Sequence, residues 1–288
     1  MIRIDNLEHT VGRFVLEISR TELYGGITLI VGANGAGKTT LMELLATVKL
    51  ARSGAIHYLG RDPARSLPLI RSQIGYVPSE ITLHENMTPR AVLLYLAELK
   101  GTAHTGAVDE ILRDFRLVDC QDIRIKKLSQ GVQRRLAIAQ SLLARPRFLF
   151  LDEPLNGLDV DERRWLLSYL AKLAGDNLIA ASAHELNEWE GIADYIIWLD
   201  GGKIRYQGNT QTWKTSLPWE VWEGEVSRTE LERIPVERLI HSRLLPDGGI
   251  WIRLTGESRL FDSLHSSEPT LEDAYFIRKS YTLQRLAR

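Results

Sequence analysis

Cysteine is nearly absent from this chain, since Cys120 is the single one among 288 residues. No disulfide can form within the chain, which fits a reducing compartment. An excess of one charge is also missing: 36 basic and 37 acidic residues give a formal net charge of -1. This balance shows no electrostatic footprint for nucleic acid, so we expect no nucleic-acid partner.

Long apolar runs are missing as well. No stretch approaches the roughly 18 uninterrupted apolar residues of a membrane-spanning helix, and residues 1–5 have the pattern of a strand rather than of a signal peptide. Any membrane role is therefore expected to come through a partner. The 44% hydrophobic and 25% charged residues are typical of a soluble protein with a sizeable core. The length suits one large domain and one small domain.

A glycine-rich stretch at 32–40 has the spacing of a phosphate-binding loop. Gly32, Gly35 and Gly37 allow a tight turn whose N–H groups point at phosphate oxygens. Lys38 supplies a positive charge for the β- and γ-phosphates, and the Thr39 hydroxyl suits a magnesium ligand. A chance match is on the order of one in a hundred in a chain of this length. A buried strand pattern at 27–31 and an amphipathic helix pattern from 41 onward strengthen the prediction of a nucleotide site.

Acidic residues end a second buried strand pattern at 148–151. An acid at the carboxyl end of a central strand lies beside the phosphate loop in doubly wound sheets, where Asp152 can hold magnesium through water. Glu153 is then placed to accept a proton from an attacking water. The alternative is a solvated strand end, which would be favoured if the phosphate loop were absent.

A histidine follows the next strand pattern, at 178–183. A lone histidine is more often structural than catalytic, but His184 is expected at the phosphate edge, where it is a candidate for contact with the γ-phosphate. Ser129 precedes another helical run and, taken alone, is a capped helix start, which is a common structural device.

Other patterns outline the remaining elements. Residues 2–18 predict an antiparallel hairpin that turns at Gly12 and covers one edge of a sheet. Residues 53–60 predict a second short hairpin, and 192–208 predict a third. A helix is expected to begin at Pro89 with Thr88 as its cap. Near the end of the chain, a helix is expected from about Thr270, with Asp273 completing a capping box.

Five ordered motifs give residues 1–215 a resemblance to the nucleotide-binding subunits of ATP-binding cassette (ABC) transporters. They are a Walker A loop at 32–40, a signature motif at 128–132, a Walker B strand at 148–153, a D-loop through Asp159 and a switch histidine at His184. The resemblance implies a P-loop NTPase fold: an α/β, RecA-like core with an antiparallel β subdomain and a helical subdomain at about 84–140.

The resemblance also implies an ATPase that uses ATP and Mg²⁺. Glu153, His184 and Lys38 would be catalytic, and Thr39, Asp152 and Ser79 would lie at the metal. The implied nucleotide-binding residues are Asn34, Gly35, Ala36, Gly37, Lys38, Thr39, Thr40, Ser129, Gln130, Gly131 and Asp159. In this family two cassettes meet head to tail, so Ser129 and Gly131 of one subunit would complete the ATP site of the other.

Three positions depart from the family pattern. The family usually has a glutamine, which contacts magnesium, where this chain has Ser79. The aromatic residue that stacks on adenine would fall near Val11, with His9 and Phe14 close by. Gln130 replaces a usual glycine but leaves Gly131 free for close backbone approach. We interpret the three departures as tuning of the site rather than as loss of its function.

Residues 216–288 lie outside the core resemblance and predict a small α+β accessory domain. Their layout is similar to the tail of cassettes that serve ABC-2-type exporters. The resemblance therefore implies transport, with export favoured, through separate integral-membrane permease subunits. It also implies a second, identical or different, cassette and a location at the cytoplasmic face of the cell membrane.

Two rival functions remain open. A soluble, non-transport ABC ATPase usually has two cassettes in one chain or a long coiled-coil insertion, and neither pattern is present here. A regulatory cassette that binds ATP with little turnover is the other alternative, and the presence of Glu153 and His184 argues against it. The transported substrate cannot be inferred, because in this family the translocation pathway lies in the membrane subunits.

Overall fold

The computed structural model describes residues 1–101 and 105–286. In this part of the chain the strands are β1 (Ile2–Val11), β2 (Phe14–Leu23), β3 (Gly26–Val31), β4 (Ser53–Tyr58), β5 (Ile74–Val77), β6 (Phe148–Leu151), β7 (Leu178–Ser182), β8 (Tyr195–Asp200), β9 (Lys203–Asn209), β10 (Glu220–Val226), β11 (Leu239–Leu244), β12 (Ile250–Gly256) and β13 (Leu264–Ser267). The helices are α1 (Lys38–Leu45), α2 (Pro63–Ser72), α3 (Pro89–Leu99), α4 (Thr105–Asp114), α5 (Gln130–Leu142), α6 (Val160–Leu173), α7 (Thr210–Thr215), α8 (Arg228–Leu231) and α9 (Leu271–Leu286). Within the described ranges, no helix combines the length and the apolar character needed to cross a lipid bilayer.

A six-stranded sheet forms the centre of the larger part of the chain. Its strand order is β5-β6-β7-β3-β8-β9, and the strands from β5 to β8 pair in parallel. Strands β6 and β7 are buried along their whole length, as expected for continuous apolar runs covered on both faces. The predicted α/β core is confirmed, and the carboxyl ends of β3, β6 and β7 meet at one edge.

A separate three-stranded sheet contains the predicted N-terminal hairpin. Strands β1 and β2 pair antiparallel around Gly12, with Val11 opposite Phe14, so this hairpin is confirmed. The hairpin belongs to its own sheet, of order β2-β1-β4. Its strand β2 lies against the edge strand β9 of the central sheet, as predicted: Gln207 Nε2 donates to the carbonyl oxygen of Glu22 at 2.6 Å, and Lys203 pairs with Glu17 at 3.1 Å.

The second predicted hairpin, at 53–60, is wrong. Residues Ser53–Tyr58 form one strand, β4, which pairs antiparallel with β1. Gly54 marks a close backbone approach rather than a turn, because an added Cβ would lie 2.1 Å from the carbonyl oxygen of Asn6. The alternating side chains Ile56 and Tyr58 face the core.

Helix α1 lies between the two sheets. Its buried face, including Leu41 and Leu45, belongs to one apolar cluster with residues of β1, β4 and β6. The Tyr58 hydroxyl donates to the carbonyl oxygen of Leu45 at 2.5 Å, and the Tyr58 ring meets Phe148 edge-on at 5.5 Å between centroids. Through Tyr58, the end of α1 is therefore linked to β6.

A helical region follows β5. Helix α3 begins at Pro89, and the Thr88 side chain accepts a hydrogen bond from Ala91 N at 3.3 Å, which confirms the predicted cap. The Nη1 atom of Arg90 donates to Asp109 Oδ1 at 2.8 Å and ties α3 to α4. Helix α5 completes this region.

The chain divides into two compact units. The N-terminal unit comprises Met1–His184 and Gly191–Gln207, and the C-terminal unit comprises Glu185–Glu190 together with the chain from Gly208 onward. The predicted division of function at 215/216 stays a prediction. The compact units divide at different residues, and the C-terminal unit includes a short segment that precedes β8.

The C-terminal unit contains a four-stranded sheet of order β11-β12-β10-β13. Helix α9 begins with the predicted capping box: Asp273 N donates to Thr270 Oγ1 at 3.2 Å, and Thr270 N donates to Asp273 Oδ2 at 2.8 Å. Arg253 on β12 forms ion pairs with Asp273 at 2.6 Å and with Glu223 at 2.5 Å. This network joins the sheet to the start of α9.

Candidate functional site

The phosphate loop connects β3 to α1. Gly37 has a φ of 105°, and an added Cβ there would lie 2.8 Å from the Phe14 ring. Both the left-handed backbone and the close aromatic neighbour require glycine at this position. Asn34 and Gly35 lie exposed at the top of the loop, whereas Ala36 is buried.

Lys38 points back into this loop. Its Nζ donates to the carbonyl oxygens of Gly32 at 2.8 Å and Ala33 at 3.3 Å, and the residue is only 6% exposed. Burial lowers the pKa of the Lys38 ammonium, while the nearby carboxylates of Asp152 and Glu153 act in the opposite direction. The charge is thus held at the loop, where a phosphate group can exchange for the carbonyl contacts.

Asp152 lies at the end of β6 against the start of α1. Its Oδ2 accepts a hydrogen bond from Thr39 Oγ1 at 2.7 Å, and its Oδ1 accepts one from Ser182 Oγ at 2.5 Å. Asp152 is fully buried. The structure therefore brings together Thr39 and Asp152, two of the three residues that were predicted to lie at the magnesium ion.

The donor set fits magnesium. Thr39 and Asp152 offer hard oxygen ligands from one side, and Mg²⁺ takes few protein ligands because it keeps several waters and phosphate oxygens. In the described ranges, no group of three or more histidine, cysteine, aspartate or glutamate residues could hold a metal by itself.

Ser182 was missed by sequence reasoning. Besides contacting Asp152, its Oγ accepts a hydrogen bond from Glu153 N at 2.9 Å, so one hydroxyl contacts the carboxylate of Asp152 and the backbone of Glu153. The sequence signal that could have identified Ser182 was its position as a polar residue near the end of the apolar strand β7. That pattern alone does not say which neighbouring strand the hydroxyl faces.

Glu153 and His184 meet at the same edge. Glu153 Oε1 lies 2.5 Å from His184 Nε2, and Asn156 Nδ2 donates to the other carboxylate oxygen. Glu153 has a φ of 51°, a left-handed conformation that costs a non-glycine residue about 1–2 kcal/mol. Strained backbone of this kind clusters at functional sites.

The signature residues lie at the start of α5. Ser129 caps the helix by accepting from Val132 N at 3.3 Å, and both Ser129 and Gln130 are exposed. Gly131 is packed against α6, since an added Cβ would lie 2.4 Å from Glu162 Oε2. Across residues 1–101 and 105–286, no hydrogen bond joins these three residues to the phosphate loop.

Asp159 is the N-cap of α6. Its Oδ1 accepts from Glu162 N at 2.8 Å, and Glu162 Oε2 accepts from Asp159 N at 3.3 Å. The predicted D-loop residue therefore has a structural role within the chain. Its proposed part in nucleotide binding stays a prediction.

Arg134 is a second residue that sequence reasoning missed. It is 4% exposed and donates to three carbonyl oxygens, those of Glu153 at 2.8 Å, Pro78 at 3.0 Å and Asn156 at 3.3 Å. Desolvation lowers the pKa of this guanidinium. One side chain on α5 thus links the ends of β5 and β6 with the turn that leads to α6.

Ser79 follows Pro78, whose carbonyl oxygen accepts a hydrogen bond from Arg134. It is half-buried and faces a cavity of about 310 Å³. The cavity is lined by Ser79, Ile81, Gln130, Gln133, Arg134, Asn156 and Gly157. The predicted contact of Ser79 with a metal stays a prediction.

Replacing Arg134 by lysine is expected to destabilise the protein. A lysine ammonium cannot span three carbonyl groups, and each buried acceptor left unpaired carries a desolvation cost, so we expect a loss of about 2–4 kcal/mol in the free energy of unfolding. Urea denaturation measures this. The control is Arg145→Lys, whose side chain is 81% exposed and whose change is expected to stay within about 0.5 kcal/mol. Equal effects of the two variants would contradict the linking role of Arg134.

A phosphate loop facing an acidic strand end across a parallel sheet defines a P-loop nucleotide-binding protein. The family model for the ABC transporter matches residues 16–156. The ABC transporter ATP-binding protein YhaQ of Bacillus subtilis is 31% identical, over 75% of this chain and 74% of its own length. This chain therefore belongs to the ABC transporter family of ATP-binding proteins.

Further relatives agree with this assignment, and solved structures share the fold. The daunorubicin/doxorubicin resistance ATP-binding protein DrrA of Streptomyces peucetius is 30% identical over 81% of this chain and 72% of its own length. The mouse phospholipid-transporting ATPase ABCA3 is 33% identical over 65% of the chain, which spans only 11% of that protein. A solved ATP-binding subunit of an ABC transporter superimposes with a TM-score of 0.68 at 24% identity, covering 75% of this chain and 92% of its own.

One solved relative was captured after hydrolysis. It is a dimeric ATP-binding cassette bound to ADP and Pi, with a TM-score of 0.63 at 20% identity, covering 73% of this chain and 98% of that one. At this identity the likeness shows the shared fold. The predicted P-loop NTPase architecture is confirmed.

Proposed function

We propose that this chain is the ATP-binding and ATP-hydrolysing subunit of an ABC transporter and powers export through separate membrane subunits. One observation supports the proposal most strongly: the phosphate loop, the acidic strand end and His184 meet at one edge of the central sheet. The 2.7 Å hydrogen bond from Thr39 to Asp152 joins the phosphate loop to the acidic strand end, and the 2.5 Å contact of Glu153 with His184 lies at the same edge.

The phosphate loop binds the nucleotide. Its backbone N–H groups and the positive end of α1 face the phosphates of ATP, and Lys38 moves from its loop carbonyls to the β- and γ-phosphates. Thr39 and Asp152 would hold magnesium. That ion, when bound, would neutralise charge on the phosphate oxygens.

Glu153 and His184 serve the chemical step. Glu153 orients a water in line with the γ-phosphate and accepts its proton. His184 donates a hydrogen bond to Glu153 or to a γ-phosphate oxygen, and Asn156 holds the second oxygen of the carboxylate. Ser182 contacts the Asp152 carboxylate and the Glu153 backbone N–H, which supports a position of Asp152 at the metal and of Glu153 at the water.

A second cassette completes each site. Ser129 and Gln130 are exposed at the start of α5, and Gly131 follows them, buried against Glu162. The first N–H groups of this helix and the Ser129 hydroxyl would meet the γ-phosphate bound by another copy. A copy of this chain or a different cassette fits this role. The dimeric relative bound to ADP and Pi supports the arrangement.

The membrane partner and the direction of transport are proposed from the relatives. ABCA3 is named as a phospholipid-transporting ATPase, which supports transport, and DrrA is named for drug resistance, which supports export. We place the chain at the cytoplasmic face of the membrane, bound to permease subunits, with residues 216–288 as an accessory domain.

An assay of phosphate release tests the proposal. The purified chain is expected to hydrolyse ATP with magnesium and to stop when the metal is chelated. Co-purification from cells then identifies the partner: a membrane permease supports the transport role, whereas nucleic acid or ribosomes would favour a soluble cassette. Nucleotide binding with no turnover, alone or with its partners, would favour a regulatory cassette.

The Ser79→Gln variant tests the loop after β5. Glutamine is long enough to reach the metal that serine reaches only through water, so we expect ATP affinity to stay within about twofold while turnover in the complex with its membrane partner changes. ATP titration and stimulated hydrolysis measure the two effects. Equal stimulation by the membrane partner with either residue would argue against a special role for this loop.

A further inference from the structure

The segment that follows His184 belongs to the C-terminal unit. Glu185–Glu190 clusters with the chain from Gly208 onward, whereas His184 itself and the chain from Gly191 to Gln207 belong to the N-terminal unit. The peptide bond after His184 therefore connects the last residue of the candidate site to the first residue of this C-terminal segment.

Glu190 is the main anchor of this segment. Its Oε2 accepts a hydrogen bond from Leu271 N at 2.9 Å, the first backbone N–H of α9. Its Oε1 forms an ion pair with Lys214 Nζ on α7 at 2.6 Å. The carboxylate is stabilised by the positive end of α9 as well as by the lysine, so both of its oxygens are engaged within the C-terminal unit.

Two further residues hold the same segment. Asn187 Nδ2 donates to Glu272 Oε2 at 2.6 Å, again at the start of α9. Trp189 is fully buried. Three of the six residues between His184 and Gly191 are thus fixed by burial or by contacts to α7 and α9.

We propose that Glu190 is a positioning residue for His184, through which the C-terminal unit sets the rate of ATP hydrolysis. The inference rests on the proposed function, because it matters only if His184 acts at the γ-phosphate. Any change in α7 or α9, such as the binding of a protein partner to the C-terminal unit, would shift the segment and alter the 2.5 Å contact of His184 with Glu153. Displacements of about 1 Å at a reacting group cost up to 10²-fold in rate.

The test compares Glu190→Ala with Glu257→Ala in the full chain. Both variants remove one carboxylate from the C-terminal unit, and Glu257 is exposed. We expect Glu190→Ala to lower kcat about tenfold, with the KM for ATP within about twofold, and Glu257→Ala to leave both constants unchanged. Glu190→Gln, which keeps the acceptor for Leu271 N, should recover part of the loss. An unchanged kcat in Glu190→Ala would overturn the inference.

Two measurements separate positioning from loss of folding. Histidine NMR, with the His184 signal assigned by its loss in His184→Ala, should show a shift in Glu190→Ala and none in Glu257→Ala. In the His184→Ala background, Glu190→Ala should have no further effect on residual turnover; an undiminished tenfold loss there would contradict action through His184.

If Glu190→Ala fails to fold, the Lys214→Met variant takes its place, because it removes only the ion-pair partner of Glu190. We expect Lys214→Met to lower kcat by a smaller factor, and a wild-type kcat in this variant would overturn the inference. A wild-type chain without turnover, alone or with its partners, would instead refute the proposed function.

Discussion

The Glu153→Gln variant is expected to lose ATP hydrolysis by about two to four orders of magnitude, the usual contribution of a general base. Glutamine keeps the size of the side chain and its contact with Asn156 but cannot accept a proton from water. Nucleotide binding should persist, because Lys38, Thr39 and the loop backbone are unchanged. Phosphate release under saturating ATP and magnesium, together with an ATP binding titration, measures both quantities.

A matched control separates the charge from the position. Glu98→Gln removes an exposed carboxylate on α3 and should leave turnover of the isolated chain unchanged. If Glu153→Gln also retained full turnover, Glu153 would have no part in the chemical step. A loss of ATP binding together with turnover would instead mean that Glu153 supports the nucleotide site structurally.

Replacing Lys38 by alanine should weaken ATP binding at least tenfold and remove measurable turnover. The loss of one charge-assisted contact to phosphate is worth about 1.5–3 kcal/mol, and 1.4 kcal/mol is tenfold in affinity. The control is Lys203→Ala, whose exposed lysine pairs with Glu17 at 3.1 Å and whose ATP affinity should match the wild type. Calorimetric titration gives both constants, and circular dichroism confirms folding. An affinity of Lys38→Ala within twofold of the wild type would contradict the phosphate-binding role.

Local patterns in the sequence predicted much of the fold. The turn at Gly12, the Thr88 cap and the capping box of Thr270 with Asp273 were all predictable, because each depends on residues within three or four positions of one another. The phosphate loop and the acidic strand end were predictable for a similar reason. Their spacing predicts Thr39 and Asp152 at one edge, because the carboxyl ends of parallel strands meet there.

Contacts between distant segments could not be predicted in the same way. The pattern at 53–60 fitted a hairpin, and only its pairing with β1 shows Gly54 to be a close approach. The sequence around Arg134 and Ser182 does not mark either as a site residue, because the groups that they contact lie in other segments of the chain. The role of Glu190 could not be inferred from its neighbours in sequence, because its contacts are with α7 and α9, which lie later in the chain.

The most direct test of the account mixes two inactive variants, Lys38→Ala and Ser129→Arg. Each alone should be inactive, because every site in its homodimer lacks either the phosphate-binding lysine or the exposed helix start of the second copy. In an equal mixture, half of the dimers carry one intact site, so hydrolysis should return to about a quarter of the wild-type rate. A mixture no more active than the two variants measured separately would contradict a site shared between two chains.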